Sequence, residues 1–312
     1  MTSDSVRLAR SEFVSKDPGA RVLITGGVHG DEFEPMQAIR ELIARFEQDS
    51  LQLLRGSLIL VPVVNEMAFL RGHRAADDGK DLARTCPGRD DGSVTERTAA
   101  ALSQLIEESD YYIDLHTGGT EFSVFPLAGY TLHPDQNVLD KQRAMAIAFN
   151  LPIVWGTAGN LDGRSLSVAR DANVPAIYTE YLGGAPCSDD GIAAYVEGCV
   201  NVLMHLYMLK GESPASRVSA IVEDSRTGSG HMQVCHPSPI TGYFHPQVSL
   251  GDSIEAGQSL GWVSSILGDN VIDVPADRDG IVLVLRTFPR VRKGESVGVV
   301  LDGADEYQKE IK

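Results

Sequence analysis

A chain of 312 residues with 43% hydrophobic and 22% charged residues can bury a sizeable core, which excludes the disordered, collagenous and membrane-embedded classes. Its 43 acidic and 27 basic residues give a net charge of −16, a field that repels phosphate backbones and anionic lipid, so neither a nucleic-acid partner nor a membrane is expected. The cysteines, Cys86, Cys187, Cys199 and Cys235, form no CxxC pair and read as reduced thiols; with no apolar signal stretch in Met1 to Gly19, a cytoplasmic location is expected.

Strand-like and helix-like segments alternate through the first two thirds, the pattern of an α/β sheet covered by helices. Arg21 to Thr25 is a short apolar strand running into Gly26-Gly27. Met36, Ile39, Leu42, Ile43 and Phe46 then recur at helical spacing behind Pro35. Ser57 to Val64 is a second strand, and its apolar run is far too short to span a bilayer. Ser93, three residues before Glu96, is a capping-box signature for a helix carrying Ala99 to Ile106. Tyr111 to Leu115, Leu151 to Trp155 and Val174 to Thr179 give three more strands, with a short helix at Ser165 to Ala172 between the last two. A final helix is expected from Ser188, with Ile192, Tyr195, Val196, Cys199, Val202, Leu203 and Leu206 on one face.

Beyond Lys210 the texture changes to short β segments separated by Gly, Pro and Asp turns. The spacing divides the chain into residues 1–212, an α/β catalytic domain, and residues 213–312, a smaller all-β domain. Leu250 to Gln258 and Val291 to Val297 look like weak duplicates and resemble the barrel-sandwich fold of biotinyl and lipoyl carriers. No lysine occurs between Gly211 and Arg292, so a covalent swinging arm is excluded and a structural or lid role is expected.

Three strand ends carry the chemistry. Gly26-Gly27-Val28-His29-Gly30-Asp31-Glu32 follows the first strand, and the three-residue spacing of His29 and Glu32 lets an imidazole and a carboxylate converge on one cation. Asp114-Leu115-His116-Thr117-Gly118-Gly119 delivers a second imidazole at a strand's carboxyl end, where open α/β sheets place their sites. Two histidines and a glutamate are the ligand set of a catalytic zinc centre with water in the fourth position, and one Zn2+ per chain is expected. Glu180, at the end of the Val174 strand, is placed to act as general base. His73, His133 and His205 read as structural. His231, His236 and His245 offer a second cluster whose mutual approach nothing in the sequence fixes.

In this order, GGVHGDE, DLHTGG and TEYLGG resemble the motifs of the succinylglutamate desuccinylase and aspartoacylase family, itself similar to zinc carboxypeptidases. The resemblance implies a zinc-carboxypeptidase-like sheet, His29, Glu32 and His116 as zinc ligands, and Glu180 as base. Asn65-Glu66-Met67-Ala68 followed by Arg74 is similar to the family segment that leads to an arginine polarising the scissile carbonyl, with Arg71 as the competing residue. Where the family usually reads Asp-Leu-Asn-Arg, this chain reads Asp81-Leu82-Ala83-Arg84. Arg84 keeps its guanidinium for a substrate carboxylate, but Ala83 contributes no hydrogen bond, and Arg164 is the candidate to compensate.

These residues lead to the expectation of a zinc amidohydrolase that removes an acyl group from a small N-acyl amino acid or related amine. The alternatives are a metallocarboxypeptidase and, in another class, a small-molecule-binding protein without turnover. Missing the Asn donor and carrying net negative charge, the chain is expected to prefer N-acyl derivatives of neutral or basic amino acids, such as diaminobutyrate-like compounds, over dianionic ones. The oligomeric state is left open, a homo-oligomer included.

Overall fold

The segments up to the linker fold, in the computed structural model, as β1 (Ser11–Val14), β2 (Arg21–Thr25), α1 (Phe33–Glu47), β3 (Ser57–Val61), α2 (Glu66–Arg71), a 3-10 turn (Leu82–Arg84), α3 (Val94–Glu107), β4 (Tyr111–His116), β5 (Phe122–Thr131), α4 (Gln136–Phe149), β6 (Ile153–Thr157), α5 (Ser165–Asp171), β7 (Ala176–Gly183) and α6 (Asp189–His205). There follow β8 (Ala220–Asp224), β9 (Gly242–Pro246), β10 (Ser253–Ile254), β11 (Ser259–Ser264), β12 (Val271–Pro275), β13 (Gly280–Arg286), β14 (Arg290–Val291) and β15 (Gly298–Leu301). The structure describes residues 6–232 and 235–302. Among them, no helix is long and apolar enough to cross a membrane, and all four cysteines are free thiols.

The parallel strands β3, β2, β4 and β7 lie side by side in the middle of an 11-stranded sheet. Their sequences are apolar on both sides because both faces are covered. Val22, Ile24, Leu58 and Leu60 pack with α1, α4 and α6, whereas Leu23, Ile59 and Val61 point the other way, against α3 and α5. Each fully buried aliphatic side chain stabilises the sandwich by about 1.5–3 kcal/mol. The second strand ends at Val61, short of the expected Val64, because Pro62 has no N–H to continue the ladder. Helix α3 starts as expected, with the Glu96 carboxylate accepting the Ser93 N–H at 2.9 Å. Helix α6 starts one residue after its cap Ser188, whose hydroxyl accepts the Gly191 N–H at 3.2 Å.

Among the elements without a counterpart in the expected order, β5 and α4 matter most for the sheet. Strand β5 runs antiparallel to β7 and has two partners along its length. Phe122–Val124 pair with β13, and Leu127–Thr131 pair with β6, on whose other side β8 is added. The register against β7 shifts between Val124 and Leu127, around Pro126. Strands β10 and β15 extend the sheet beyond β13, and β12, β11, β9 and β14 form a separate four-stranded antiparallel sheet. The result is a mixed α/β fold with a second, all-β region, and strands from beyond residue 212 take part in the large sheet.

A buried guanidinium fastens the β region to the loop that follows β4. Arg286 stacks 4.9 Å over the Phe122 ring and pairs with Glu121 and Glu295, each at 3.3 Å. Glu121 also accepts the Thr287 N–H on its carbonyl at 3.0 Å.

Candidate metal centre and active-site cleft

Because β2, β4 and β7 are parallel neighbours, their carboxyl ends open on one edge of the sheet, and the chain leaving each one contributes to the same place. After β2 the backbone passes so close to α2 that a Cβ on Gly30 would lie 2.0 Å from the Ala68 carbonyl carbon, which seats His29 and leaves Glu32 as the cap of α1. His116 is the last residue of β4 and stands in register with Glu180 on β7.

His29, Glu32 and His116 meet. The Glu32 carboxylate bridges the two rings, 2.7 Å from His29 Nδ1 and 3.0 Å from His116 Nδ1, and the three donor atoms lie within 4.8 Å of one another. Each ring's other nitrogen faces a further carboxylate: His29 Nε2 is 3.1 Å from Asp81, and His116 Nε2 is 3.1 Å from Asp114. Asp114 is wholly buried and is fixed by the hydroxyls of Thr25 and Ser165. Two imidazoles oriented by outer carboxylates around a third, inner one fit a divalent cation with a position left open for a reactant. The charge balance agrees. Burial disfavours a charged imidazole at His116, yet Asp114 and then Glu32 outweigh it and hold the ring's pKa well above its ordinary value, so the cluster attracts positive charge.

Glu180 is buried 7% exposed on the cleft wall, and its Oε2 has no hydrogen-bond partner among the described residues. Burial, with the Glu32 charge adding to it, outweighs the pull of His116 and pushes the carboxyl up to about 7. A carboxyl poised there exchanges a proton readily at neutral pH.

Arg74 reaches the same cluster. Its Nε and Nη2 donate to Asp81 at 3.1 and 3.0 Å, and its Nη1 is 3.9 Å from Glu32. Arg71 instead bonds the carbonyls of Ala75 and Ala76, pairs with Asp77, and does not line the cleft. Asn65 has a local role as the cap of α2, accepting the Ala68 N–H at 3.2 Å. The cleft and the open solvent at its mouth together span about 940 Å³. Beside His29, Glu32, His116, Arg74 and Glu180, its walls include Ala83, Arg84 and Arg164, and an apolar surface of Phe122, Val124, Leu161, Leu166, Met232 and Val284. Arg164, the cap of α5, donates to the Gly230 carbonyl at 3.4 Å, and its buried Nε has no partner among the described residues. Burial, then the charge of Arg84, pushes its guanidinium down to about 10, a strain that an anion bound between the two would relieve.

Among the described residues the second histidine cluster does not assemble: His236 pairs with Asp277 at 3.0 Å, and His245 stacks on Trp262 with ring centroids 3.7 Å apart. Three functional neighbours had escaped the sequence reading. Asp114 and Tyr178 sit two residues before His116 and Glu180, so strand alternation would have placed them on the same faces. Asp81, which joins His29 to Arg74 and caps the 3-10 turn through the Ala83 N–H at 2.9 Å, carries no such periodic signal.

The cluster thus stands at the carboxyl ends of the parallel strands of a mixed sheet, an arrangement shared with relatives that are amide-bond deacylases, a class of hydrolases. The chain belongs to the succinylglutamate desuccinylase/aspartoacylase family, whose catalytic-domain profile matches residues 18–206. It is 32% identical over 297 residues, 93% of this chain and 84% of the relative, to the N-alpha-acetyl-L-2,4-diaminobutyric acid deacetylase of Halomonas elongata. Among solved structures it is similar to the product-bound ectoine utilization protein EutE (DoeB) of Ruegeria pomeroyi, with 28% identity, a TM-score of 0.83, and 93% and 87% of the two chains covered. A succinylglutamate desuccinylase of Silicibacter sp. TM1040 shares 26% identity with a TM-score of 0.84, over 95% and 88% of the two chains.

Proposed function

We propose that the protein is a zinc-dependent amidohydrolase that removes the acyl group from a small N-acyl amino acid. The observation that carries this reading is Glu180, whose buried Oε2 has no partner among the described residues and whose carboxyl burial pushes up to about 7, in a cleft that also contains the His29, Glu32 and His116 donors. One zinc ion per chain, held by those three side chains, would supply Lewis acidity toward water and the scissile carbonyl. Glu180 takes a proton from the attacking water as its oxygen adds to the acyl carbon. The Arg74 guanidinium faces the oxygen that becomes negative, with Asp81 holding it in place. When the C–N bond breaks, the proton on Glu180 passes to the leaving nitrogen, giving a carboxylic acid and an amine. Arg84 and Arg164 provide the positive wall for the substrate carboxylate.

The finer architecture belongs to the same reading: a zinc-carboxypeptidase-like catalytic region in residues 1–212, and a smaller, barrel-sandwich-like β region in residues 213–312 that also lends strands to the large sheet and closes one side of the cleft, in a cytoplasmic protein. The lack of a side-chain donor at Ala83 and the net charge of −16 favour a substrate with a single carboxylate and a small uncharged or basic remainder over a dianion. The test is metal content together with hydrolysis of a panel of N-acetyl and N-succinyl amino acids. One zinc per chain, turnover of N-acetyl substrates, and sharp loss of both in His116→Ala are expected. A His116→Ala protein that still holds one equivalent of zinc would refute the ligand assignment, and an inert zinc-loaded parent would refute the activity.

A further inference from the structure

Tyr178 lines the cleft two residues before Glu180 and so on the same face of β7. Its ring lies across β5 at its register partner Gly129, where a Cβ would fall 2.2 Å from ring carbon Cε1 and 2.6 Å from the phenol oxygen. Only a residue without a side chain leaves the ring this path. The other tyrosines buried nearby each bond a protein group: Tyr112 to the Thr25 hydroxyl, Tyr130 to Glu223, and Tyr195 to the His116 carbonyl. Among the described residues, the Tyr178 hydroxyl has no such partner. A phenol placed in a cleft with its polar tip unengaged is a donor kept for a ligand.

The same cleft holds Arg84 and Arg164, two guanidinium groups, and Ala83, whose side chain offers no hydrogen bond. Burial, then the Glu180 charge, raise the phenol's pKa above its ordinary value while Arg164 opposes them, so at neutral pH the hydroxyl keeps its proton. We infer that Tyr178 is a specificity-determining residue whose phenol O–H donates to the substrate carboxylate beside Arg164, supplying the hydrogen bond that Ala83 cannot. The inference rests on the N-acyl amino acid reading of the site and names the group of that substrate which the chain recognises in its own way.

The experiment is calorimetric titration of N-acetyl-L-methionine and of its carboxamide, N-acetyl-L-methioninamide, into zinc-loaded protein carrying Glu180→Gln so that neither ligand is consumed. The apolar wall of Val124, Leu161, Met232 and Val284 suits the methionine side chain. Adding Tyr178→Phe, which keeps the ring and its packing, should weaken binding of the acid about tenfold and of the amide less than twofold. Ala83→Asn on top of Tyr178→Phe should recover most of the loss, because it restores a neutral donor. In turnover with Glu180 intact, Tyr178→Phe should raise KM about tenfold with kcat within about twofold. Equal weakening of acid and amide, or no weakening of either, would overturn the inference while leaving the deacylase reading intact. A zinc-loaded parent that neither binds nor hydrolyses any N-acyl amino acid would overturn that reading, and the inference with it.

Discussion

The two walls of the cleft are built on opposite plans. On the chemical side, around the candidate metal position, each group is braced twice, Glu32 by two histidines, His29 and His116 each by Glu32 and an outer carboxylate, and Arg74 by two bonds to Asp81, while Glu180 is fixed by burial instead. On the recognition side Arg164 has a long bond to one carbonyl and a buried nitrogen without a partner among the described residues, and the hydroxyl of Tyr178, a residue of the cleft lining, likewise has none among them. The first plan spends interactions on holding geometry before any substrate arrives; the second leaves donors unsatisfied until one does. A family that keeps one reaction while changing its substrate needs both, because reaction geometry tolerates little displacement, whereas recognition changes by exchanging single donors.

The contrast can be broken at its strongest point. Glu180→Gln should leave metal content at one zinc per chain and lower kcat by roughly two to four orders of magnitude, the range for a lost general acid or base. Single-turnover rates beside metal analysis measure both. Near-normal turnover would remove Glu180 from the chemistry, and loss of zinc would make it a ligand instead.

A smaller effect is expected one step out. Asp114→Asn keeps the size of the side chain but no longer offers a carboxylate to His116 Nε2, and zinc affinity should fall about 10–100-fold in competition with a chelator. The same measurement on Arg164→Ala should show no change in zinc affinity, and equal losses in the two variants would erase the distinction between a braced and an open wall.

The smallest effect is on stability and depends on pH. Glu180 has a folded pKa of about 7 against 4.5 in the unfolded chain, so its protonated form favours the fold. That contribution is complete below pH 4.5 and is lost as pH rises through 7. Gln is neutral throughout and keeps it. Metal-free Glu180→Gln should therefore be more stable than the metal-free parent at pH 8, and equal to it near pH 4, in urea unfolding. A parent as stable as the variant at pH 8 would mean that the carboxylate is well solvated, against its burial.

The braced wall was also the legible one. Strands β2, β4 and β7 announce themselves because a parallel strand covered on both faces is a continuous apolar run, and a His or Glu at the end of such a run stands out. The recognition wall was only half visible. Ala83 was noticed through what it lacks, and Arg164 through its place at the exit of a glycine-rich loop ahead of the Glu180 strand. Tyr178 sits inside an apolar strand, where an aromatic residue is unremarkable until the glycine opposite it is known. Strand β5 was missed because Pro126 and Gly129 interrupt its alternation and because part of its pairing depends on β13, far along the chain. Helix α4 followed it out of sight. Asp81 lies in a loop where no periodicity marks one acidic residue above its neighbours.

Strand β5 also bears on how the molecule is made. Its Phe122–Val124 half finds its partner β13 about 160 residues later in the chain, so during synthesis that edge waits open while the rest of the α/β sheet is complete. A chain ending near residue 212 would never close it. It would present Phe122 and Val124 as an unpaired apolar edge and would lack Gly230, Met232 and Val284 from the cleft, so such a fragment should aggregate rather than work as a smaller enzyme. Exchanging whole β regions between relatives meets the same constraint. A transplanted region must bring a strand that matches the register of β5 before it can bring a new specificity.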